Sequence, residues 1–583
     1  MEKNVVNLII NDINVQAPKG ESVLEAAKLA GIHIPSLCYF SMPGLDILNR
    51  PANCRVCIVE QVGGRKGGLI PACATFVSEG MIIYTNSDRA LNARRTIVEL
   101  MLSNHPSDCF MCDRSPTCEL LAIASDLGIR EIPYEGEKNN FPQDTSSHSI
   151  LRDPNKCILC RRCETMCKEV QSVGVLSSVN RGFNTSVATA FDGPLSDSTC
   201  TFCGQCVAVC PTGALLDRSC SQDVWKALND PEKFVVVQTA PAVRTALGEA
   251  LGMPSDEVVT GKMVAALRRM GFDKVIDTNF GADVTVMEES AELVERMRDG
   301  GSLPLITSCC PSWIKFIEHQ YPDLLDHPSS CKSPQEMVGA LAKTYLAEKL
   351  GVDPANVVCV SVMPCLSKKY EANNEALKSG QANVDYVIST RELARMIKEA
   401  CISFADLPNE SFDALMGMST GGADIFGATG GILEGTLRVG YELLTKERLE
   451  TLEFEDLRGF KGGVKEATID LGNIKLKVAS VNELKNARKL LEDVRNGTSE
   501  YHAIEITACP GGCIAGGGQP YHKSNEEILD KRRELLYKED RNKQLRRSNE
   551  NPEVKALYDE FLGKPGSEKA HKLLHTKYVK RSV

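Results

Sequence analysis

Three apolar stretches each run into a cysteine motif, and this recurrence constrains the second half of the chain more than any other feature. Residues 304–307 lead into Thr307-Ser308-Cys309-Cys310-Pro311-Ser312-Trp313. Residues 357–362 lead into Met363-Pro364-Cys365-Leu366-Ser367-Lys368-Lys369, and residues 503–507 into Ala508-Cys509-Pro510-Gly511-Gly512-Cys513. Each stretch has the length and composition of a buried strand. Strands are also predicted over 234–238 and 274–277, and helices over 242–251, 263–270, 286–296 and from Pro311. Such alternation predicts parallel sheet with crossover helices, α/β in class. The carboxyl ends of such strands face one crevice, where open α/β sheets bind ligands. Gathered there, Cys310, Cys365, Cys509 and Cys513 make the four-thiolate set that holds a [4Fe-4S] cube.

The first half carries its cysteines in other spacings. Residues 5–80 read as a small β-rich unit of α+β type, with strands over 5–10 and 15–17 and a helix over 22–30 ended by Gly31. Its cysteines are Cys38, Cys54, Cys57 and Cys73, a pattern open to either a [2Fe-2S] cluster or zinc. A helix over 91–103 precedes His105, Cys109, Cys112 and Cys118, a set equally open to zinc or a cluster. Residues 136–147 read as a linker. Beyond it lie Cys157, Cys160, Cys163, Cys167 and then Cys200, Cys203, Cys206, Cys210-Pro211. These are two copies of the bacterial ferredoxin run, in which the fourth cysteine ligates the other cluster. One cube therefore takes Cys157, Cys160, Cys163 and Cys210, the other Cys200, Cys203, Cys206 and Cys167.

A chain of 583 residues exceeds one core and implies several domains. Its net charge of -10 argues against nucleic acid as the main partner. The start lacks the basic-then-apolar signal pattern and no apolar run approaches a membrane span, so a cytoplasmic location is expected. In that compartment 24 cysteines bind metal rather than pair. Nineteen fall in the ligand spacings above and Cys309 stands beside one of them; Cys220, Cys331, Cys359 and Cys401 are expected as small buried hydrophobes.

The three motifs, TSCCPxW, MPCxxKKxE and ACPGGCxxGGGQP, closely resemble the active-site signatures of the iron-iron hydrogenases, and the resemblance extends over nearly the whole chain. It implies an enzyme interconverting H2 with protons and electrons at an H-cluster. That cofactor is a cube on the four cysteines, joined through Cys513 to a two-iron unit with carbonyl, cyanide and bridging dithiolate ligands. The resemblance also implies a [2Fe-2S] cluster in the first unit and a [4Fe-4S] cluster on His105 and its three cysteines. With the ferredoxin pair, the accessory set is three [4Fe-4S] and one [2Fe-2S].

The implied architecture is multidomain α+β and α/β. A [2Fe-2S] ferredoxin-like domain spans 1–80, the His105 domain 81–135 and a two-cluster ferredoxin domain 149–220. An H-cluster catalytic domain follows over 221–524, and a helical small-subunit-like segment, expected to dock, over 525–583.

Cys309 is implied as the proton-exchanging residue, and Lys368 as an ammonium offered to a cyanide. Ala240, Pro241, Ser333, Gln335 and Met363 are implied to line the site. On the helix over 286–296, Glu289, Glu292 and Arg296 share a face at i, i+3 and i+7 and match the family's proton path. The expected order is solvent, Glu289, Ser329, Glu292, Cys309. Thr507, Ala515 and Cys331 depart from residues common in the family. Electrons are expected to leave through the accessory clusters, by the N-terminal domain, toward ferredoxin or a flavin- and NAD(P)-binding subunit of a hetero-oligomer, a layout shared with electron-bifurcating hydrogenases. Maturation proteins must insert the two-iron unit. No dinucleotide or Walker motif is present to bind nicotinamide on this chain. A hydrogen sensor or an iron-sulfur assembly scaffold are the alternatives, although sensors tend to lack Cys309 and the glutamates.

Overall fold

The computed structural model describes residues 5–63, 67–378, 380–470 and 475–582. In the first unit, Val5–Ile10 pairs antiparallel with Ile13–Pro18 and parallel with Ile82–Tyr84, within a five-stranded sheet. The helix Val23–Leu29 lies on it, capped by the Ser22 hydroxyl, which accepts from the Glu25 N–H. In the ferredoxin unit, Ile150–Arg152 pairs antiparallel with Leu215–Asp217 and brings its two ends together. Residues 136–143 carry no regular element.

The strands of the large domain form two four-stranded sheets rather than one. In the first, Phe234–Thr239 is central, flanked in parallel by Lys274–Asp277 and Val357–Met363, with Tyr386–Ser389 outside. In the second, Ala503–Thr507 lies parallel between Leu305–Thr307 and Lys475–Asn482, and Val464–Asp470 closes the edge antiparallel. The Met363 motif therefore comes from one sheet, and the Cys309 and Cys509 motifs from the other. All three still emerge at carboxyl ends, and the two sheets turn those ends toward each other.

The helix Thr278–Asp299 packs against Pro334–Leu341 and Gly431–Thr445. Its first half, through Ser290, is almost wholly buried, while its second half reaches the surface. The helix expected over 242–251 is two short helices, Pro241–Arg244 and Leu247–Ala250. It breaks at Ala246 (φ -129°), where Arg244 turns inward to a buried ion pair with Asp277 at 2.6 Å.

The C-terminal segment is docked. Arg532 on Glu526–Asn542 is fully buried against Glu249 at 2.6 Å. Ala570, Leu573 and Leu574 join the apolar cluster beneath Pro334–Leu341. Cys331 and Cys359 are buried as expected, but Cys220 is only half-buried and Cys401 is exposed. Cys401 follows the helix Thr390–Glu399 at φ 54°, in a turn that points it outward, so composition misled there. Among the described residues no helix is long and apolar enough to cross a membrane.

Candidate active site and cluster relay

Cys310, Cys365 and Cys509 are buried and Cys513 half-buried where the two sheets meet. Burial, then the neighbouring Cys365, pushes the Cys310 thiol up to about 12. Cys509 lies well above its ordinary value for the same reasons. Four crowded, desolvated thiols resist ionisation unless a cation neutralises them, so this donor set fits a cationic iron-sulfur cluster. Gly512 sits at φ 98°, ψ -159°, a region essentially reserved for glycine. A Cβ there would come within 2.7 Å of the Thr429 nitrogen. Its lack of a side chain seats Cys513 against the loop at 427–429.

A cavity opens beside Cys513. Ala240, Pro241, Gln335, Met363 and Lys368 line it with Cys309, Cys365 and Phe426. Ser333 stands on the other side of the Cys309 loop. It donates to Glu371 Oε2 at 2.8 Å, which also receives Lys368 Nζ at 2.7 Å and Gln335 Nε2 at 3.1 Å. Glu371 is a residue sequence reasoning overlooked; the acid ending Lys368-Lys369-Tyr370-Glu371, one turn after Lys368, was its signal. Thr507 turns to Thr429 Oγ1 at 3.0 Å and is not among the residues lining the cavity. The Ala515 carbonyl accepts from Gln205.

The Cys309 thiol is held below its ordinary value, chiefly by a hydrogen bond with Cys513, against burial and with help from Lys368. Glu289, 3 % exposed, accepts from Thr307 Oγ1 at 2.6 Å, two residues before Cys309. Burial raises Glu289 to about 7, with a contribution from Glu292 and opposition from the Thr307 and Ser329 hydroxyls. Ser329 Oγ donates to Glu292 Oε2 at 2.9 Å, and Glu292 pairs with Arg296 at 2.7 Å. Arg296 also donates to the carbonyls of Asp326, His327 and Pro328, which pins the Ser329 loop. The expected order of the two glutamates is thus reversed. Glu289 belongs to the buried half of its helix and Glu292 to the half that reaches solvent, so the sequence runs Glu292, Ser329, Glu289, Thr307, Cys309. Thr307 is a second residue missed, although it opens the Thr307-Ser308-Cys309-Cys310 motif.

Three further cysteine sets also gather. Cys38, Cys54, Cys57 and Cys73 are at most 2 % exposed, and Cys38 hydrogen-bonds Cys54 and Cys73. Cys157, Cys160, Cys163 and Cys210 surround one cavity, and Cys167, Cys200, Cys203 and Cys206 another. His105 ends the helix Asp88–Asn104, and Cys118 caps Glu119–Asp126 through its Sγ. Cys109 and Cys112 flank a turn whose Phe110 and Met111 are fully exposed.

These sets are wired through backbone. A Cβ on Gly517 would lie 2.6 Å from the Gly204 Cα, so the loop after Cys513 touches the loop after Cys203 only because both are glycine. Gln205 Nε2 spans the same junction to the Ala515 carbonyl at 2.9 Å. Outward, Asn49 Nδ2 donates to the carbonyls of both Cys38 (2.6 Å) and Cys160 (3.1 Å). Arg114 donates to the Cys210 carbonyl, and the Glu119 N–H to the Pro211 carbonyl. Contacts from the Cys157 set thus reach the Cys38 segment on one side and the Cys112–Cys118 segment on the other.

Comparison with known proteins agrees with this layout. Residues 233–517 match the family described as "Iron only hydrogenase large subunit, C-terminal domain", and 526–581 the "Iron hydrogenase small subunit". Residues 3–88 match a 2Fe-2S cluster binding domain, 94–133 the "NADH-ubiquinone oxidoreductase-G iron-sulfur binding region", and 152–214 a 4Fe-4S dicluster domain. The chain is 53 % identical over 586 residues to the NADP-reducing hydrogenase subunit HndD of Solidesulfovibrio fructosivorans, covering 99 % of each. It is 39 % identical to iron hydrogenase 1 of Clostridium pasteurianum, over 98 % of this chain and 100 % of that one. A solved variant of the [FeFe]-hydrogenase HydA1 from Chlamydomonas reinhardtii superposes with a TM-score of 0.56 at 42 % identity, over 62 % of this chain and 99 % of that one.

Proposed function

Because this chain belongs to the iron-only hydrogenase family, and is an [FeFe] hydrogenase with accessory iron-sulfur domains, we propose that it works as the hydrogen-handling subunit of an NAD(P)-linked assembly. Five units, 1–80, 81–135, 149–220, 221–524 and 525–583, divide the labour. Cys310, Cys365, Cys509 and Cys513 hold the cube of the H-cluster. The attached two-iron unit, when bound, supplies the open coordination position at which hydrogen is made or split. Lys368 lines the cavity with its ammonium oriented by Glu371, and with the two-iron unit bound it would give a charge-assisted hydrogen bond to a cyanide.

The observation that carries the reading is Cys309. Its thiol lines the cavity with Cys513, and two residues before it Thr307 begins a run of hydroxyls and carboxylates, Thr307, Glu289, Ser329 and Glu292, that reaches the surface. In this reading Cys309 moves protons at Sγ, Glu289 takes them across the buried span through Thr307, and Ser329 and Glu292 exchange them with solvent. A relay needs a carboxyl poised near the working pH, and the buried Glu289 meets that need. Ala240, Pro241, Gln335 and Met363 shape the cavity and exclude water, while Ser333, from the other side of the Cys309 loop, holds Glu371. Electrons run through the Cys200 and Cys157 sets to a branch tip, and from there to ferredoxin or to a flavin- and NAD(P)-binding subunit. The name of the Solidesulfovibrio relative, an NADP-reducing hydrogenase subunit, supports the nicotinamide link.

The test is anaerobic maturation with the dedicated maturation proteins, infrared detection of iron-bound carbonyl and cyanide, and dye reduction under H2. Cys309→Ser is expected to keep the bands and lose turnover. Normal turnover in that variant would falsify the relay.

A further inference from the structure

We propose that Glu292, Cys331 and His575 form a binding site for a zinc-class divalent cation at the outer end of the relay, where the bound ion blocks proton exchange with solvent. One donor atom from each lies within 4.8 Å of the others. The three come from separate segments, and only Glu292 belongs to the relay. Cys331 and His575 are partners in an antiparallel bridge. It is closed by the Lys332 N–H to the Leu574 carbonyl and the Thr576 N–H to the Ser330 carbonyl, each 2.8 Å. Backbone pairing thus sets the thiol and the imidazole side by side. Arg296 and Ser329 fix the Glu292 carboxylate. The Ser330 N–H is shared between both of its oxygens at 3.2 Å, so an ion can take one oxygen and leave that N–H to the other.

The far side of His575 is an independent pointer to a metal. Its Nε2 lies 3.1 Å from Glu288 Oε2, and a carboxylate can only accept, so Nε2 carries the proton. In the neutral imidazole Nδ1 then holds the lone pair, which the Ser330 hydroxyl meets at 2.8 Å. A carboxylate behind the imidazole is the arrangement that orients metal-ligating histidines. Glu288 is itself 1 % exposed and held by the Tyr558 hydroxyl at 2.6 Å and the Gly566 N–H at 2.8 Å.

The charge around Cys331 points the same way. Its thiol is buried and faces Glu292, Glu289 and Glu288. A pocket with three carboxylates around one thiol resists a thiolate and attracts a divalent ion, which then stabilises that thiolate. On binding, the S–H bond breaks, a metal–sulfur bond forms and the proton leaves to solvent. One sulfur, one nitrogen and one oxygen select zinc over magnesium or calcium, with water at the fourth position. The blocking half of this inference rests on the proposed relay; the binding half does not.

The experiment uses the matured holoenzyme, zinc chloride and a chelator. Zinc X-ray absorption is expected to show one sulfur at about 2.3 Å with nitrogen and oxygen at about 2.0–2.2 Å. Dye-linked turnover should fall with zinc and return on chelation. Cys331→Ala and His575→Gln should keep basal turnover, and the zinc concentration for half-inhibition should rise roughly tenfold or more in each. The sulfur contribution should vanish in Cys331→Ala alone. Sulfur persisting in that variant, or zinc sensitivity in both variants equal to the parent's, overturns the site. A sulfur contribution lost as expected, with turnover untouched by zinc, overturns the block and faults the relay rather than the site.

Discussion

Burial pushes Glu289 up to about 7, and two consequences of different kinds follow. As an acid-base group it sits where proton transfer near neutral pH is most efficient, so Glu289→Gln should lower hydrogen turnover by about 10²–10⁴-fold. The carbonyl and cyanide bands should stay, because Glu289 touches Thr307 and Ser329 rather than the cavity. Dye-linked rates and infrared spectra of the same sample check this. As a buried carboxyl its folded pKa exceeds the ordinary 4.5, so it favours the fold fully below 4.5 and loses that contribution as pH rises through about 7. The melting temperature of Glu289→Gln relative to the parent should therefore be higher at pH 8 than at pH 5; an unchanged difference contradicts the sign. At this scale the sequence is partly legible. Helical spacing puts Glu289, Glu292 and Arg296 on one face, but spacing reports angle around a helix and not depth along it, so the order of the glutamates needs the fold. Glu371 and Thr307 are written inside the metal-binding motifs and hidden by them, because hydroxyls and acids beside ligands look like ordinary loop polarity. Residue type alone predicts a buried Cys401, and a left-handed turn overrides it.

Alternation of apolar runs reveals the elements of the catalytic domain but not their division between two sheets. A strand's hydrophobic pattern says that both faces are covered; it does not say which strand lies beside it. Only the pairing of Leu305–Thr307 with Ala503–Thr507, far along the chain, separates the Cys309 and Cys509 motifs from the Met363 motif. The consequence is that the site spans a seam and depends on the loops that cross it. Gly517 is the sharpest case. With a Cβ it would crowd the Gly204 Cα at 2.6 Å and the Cys203 carbonyl at 2.7 Å, both backbone atoms that cannot swing away. Gly517→Ala should push the Cys203 loop from the Cys513 loop. Dye-linked turnover should fall several-fold, while hydrogen–deuterium exchange under D2, which needs no electron to leave, should persist. Equal loss of both would mean that the substitution damages the H-cluster site itself, not the junction.

Taken whole, the molecule is a catalytic seam joined to a forked relay, and the fork poses a question about the exit. The sequence points to the N-terminal domain, but the two tips differ in surface. The cysteines of the first unit are at most 2 % exposed, Cys57 and Cys73 in its own core and Cys38 and Cys54 packed with Val98, Leu120 and Cys160. At the other tip Cys109, Cys112 and Cys118 are half-buried, and between the first two stand Phe110 and Met111, fully in solvent. Large apolar side chains at a relay terminus cost solubility and are what a docking contact buries. The NAD(P)-linked partner is therefore expected at the Cys109–Cys118 tip. Cys112→Ser should abolish partner-linked reduction of nicotinamide and leave dye-linked turnover near normal, because small dyes can still reach the other branch. Cys54→Ser should spare both. Phe110→Ser, which removes no ligand, should raise the partner concentration needed for half-maximal rate without changing the maximum, the mark of lost docking rather than lost conduction. If Cys54→Ser instead silences the partner and Cys112→Ser does not, the exit belongs to the first unit, and the exposed pair at Phe110 and Met111 serves a different contact.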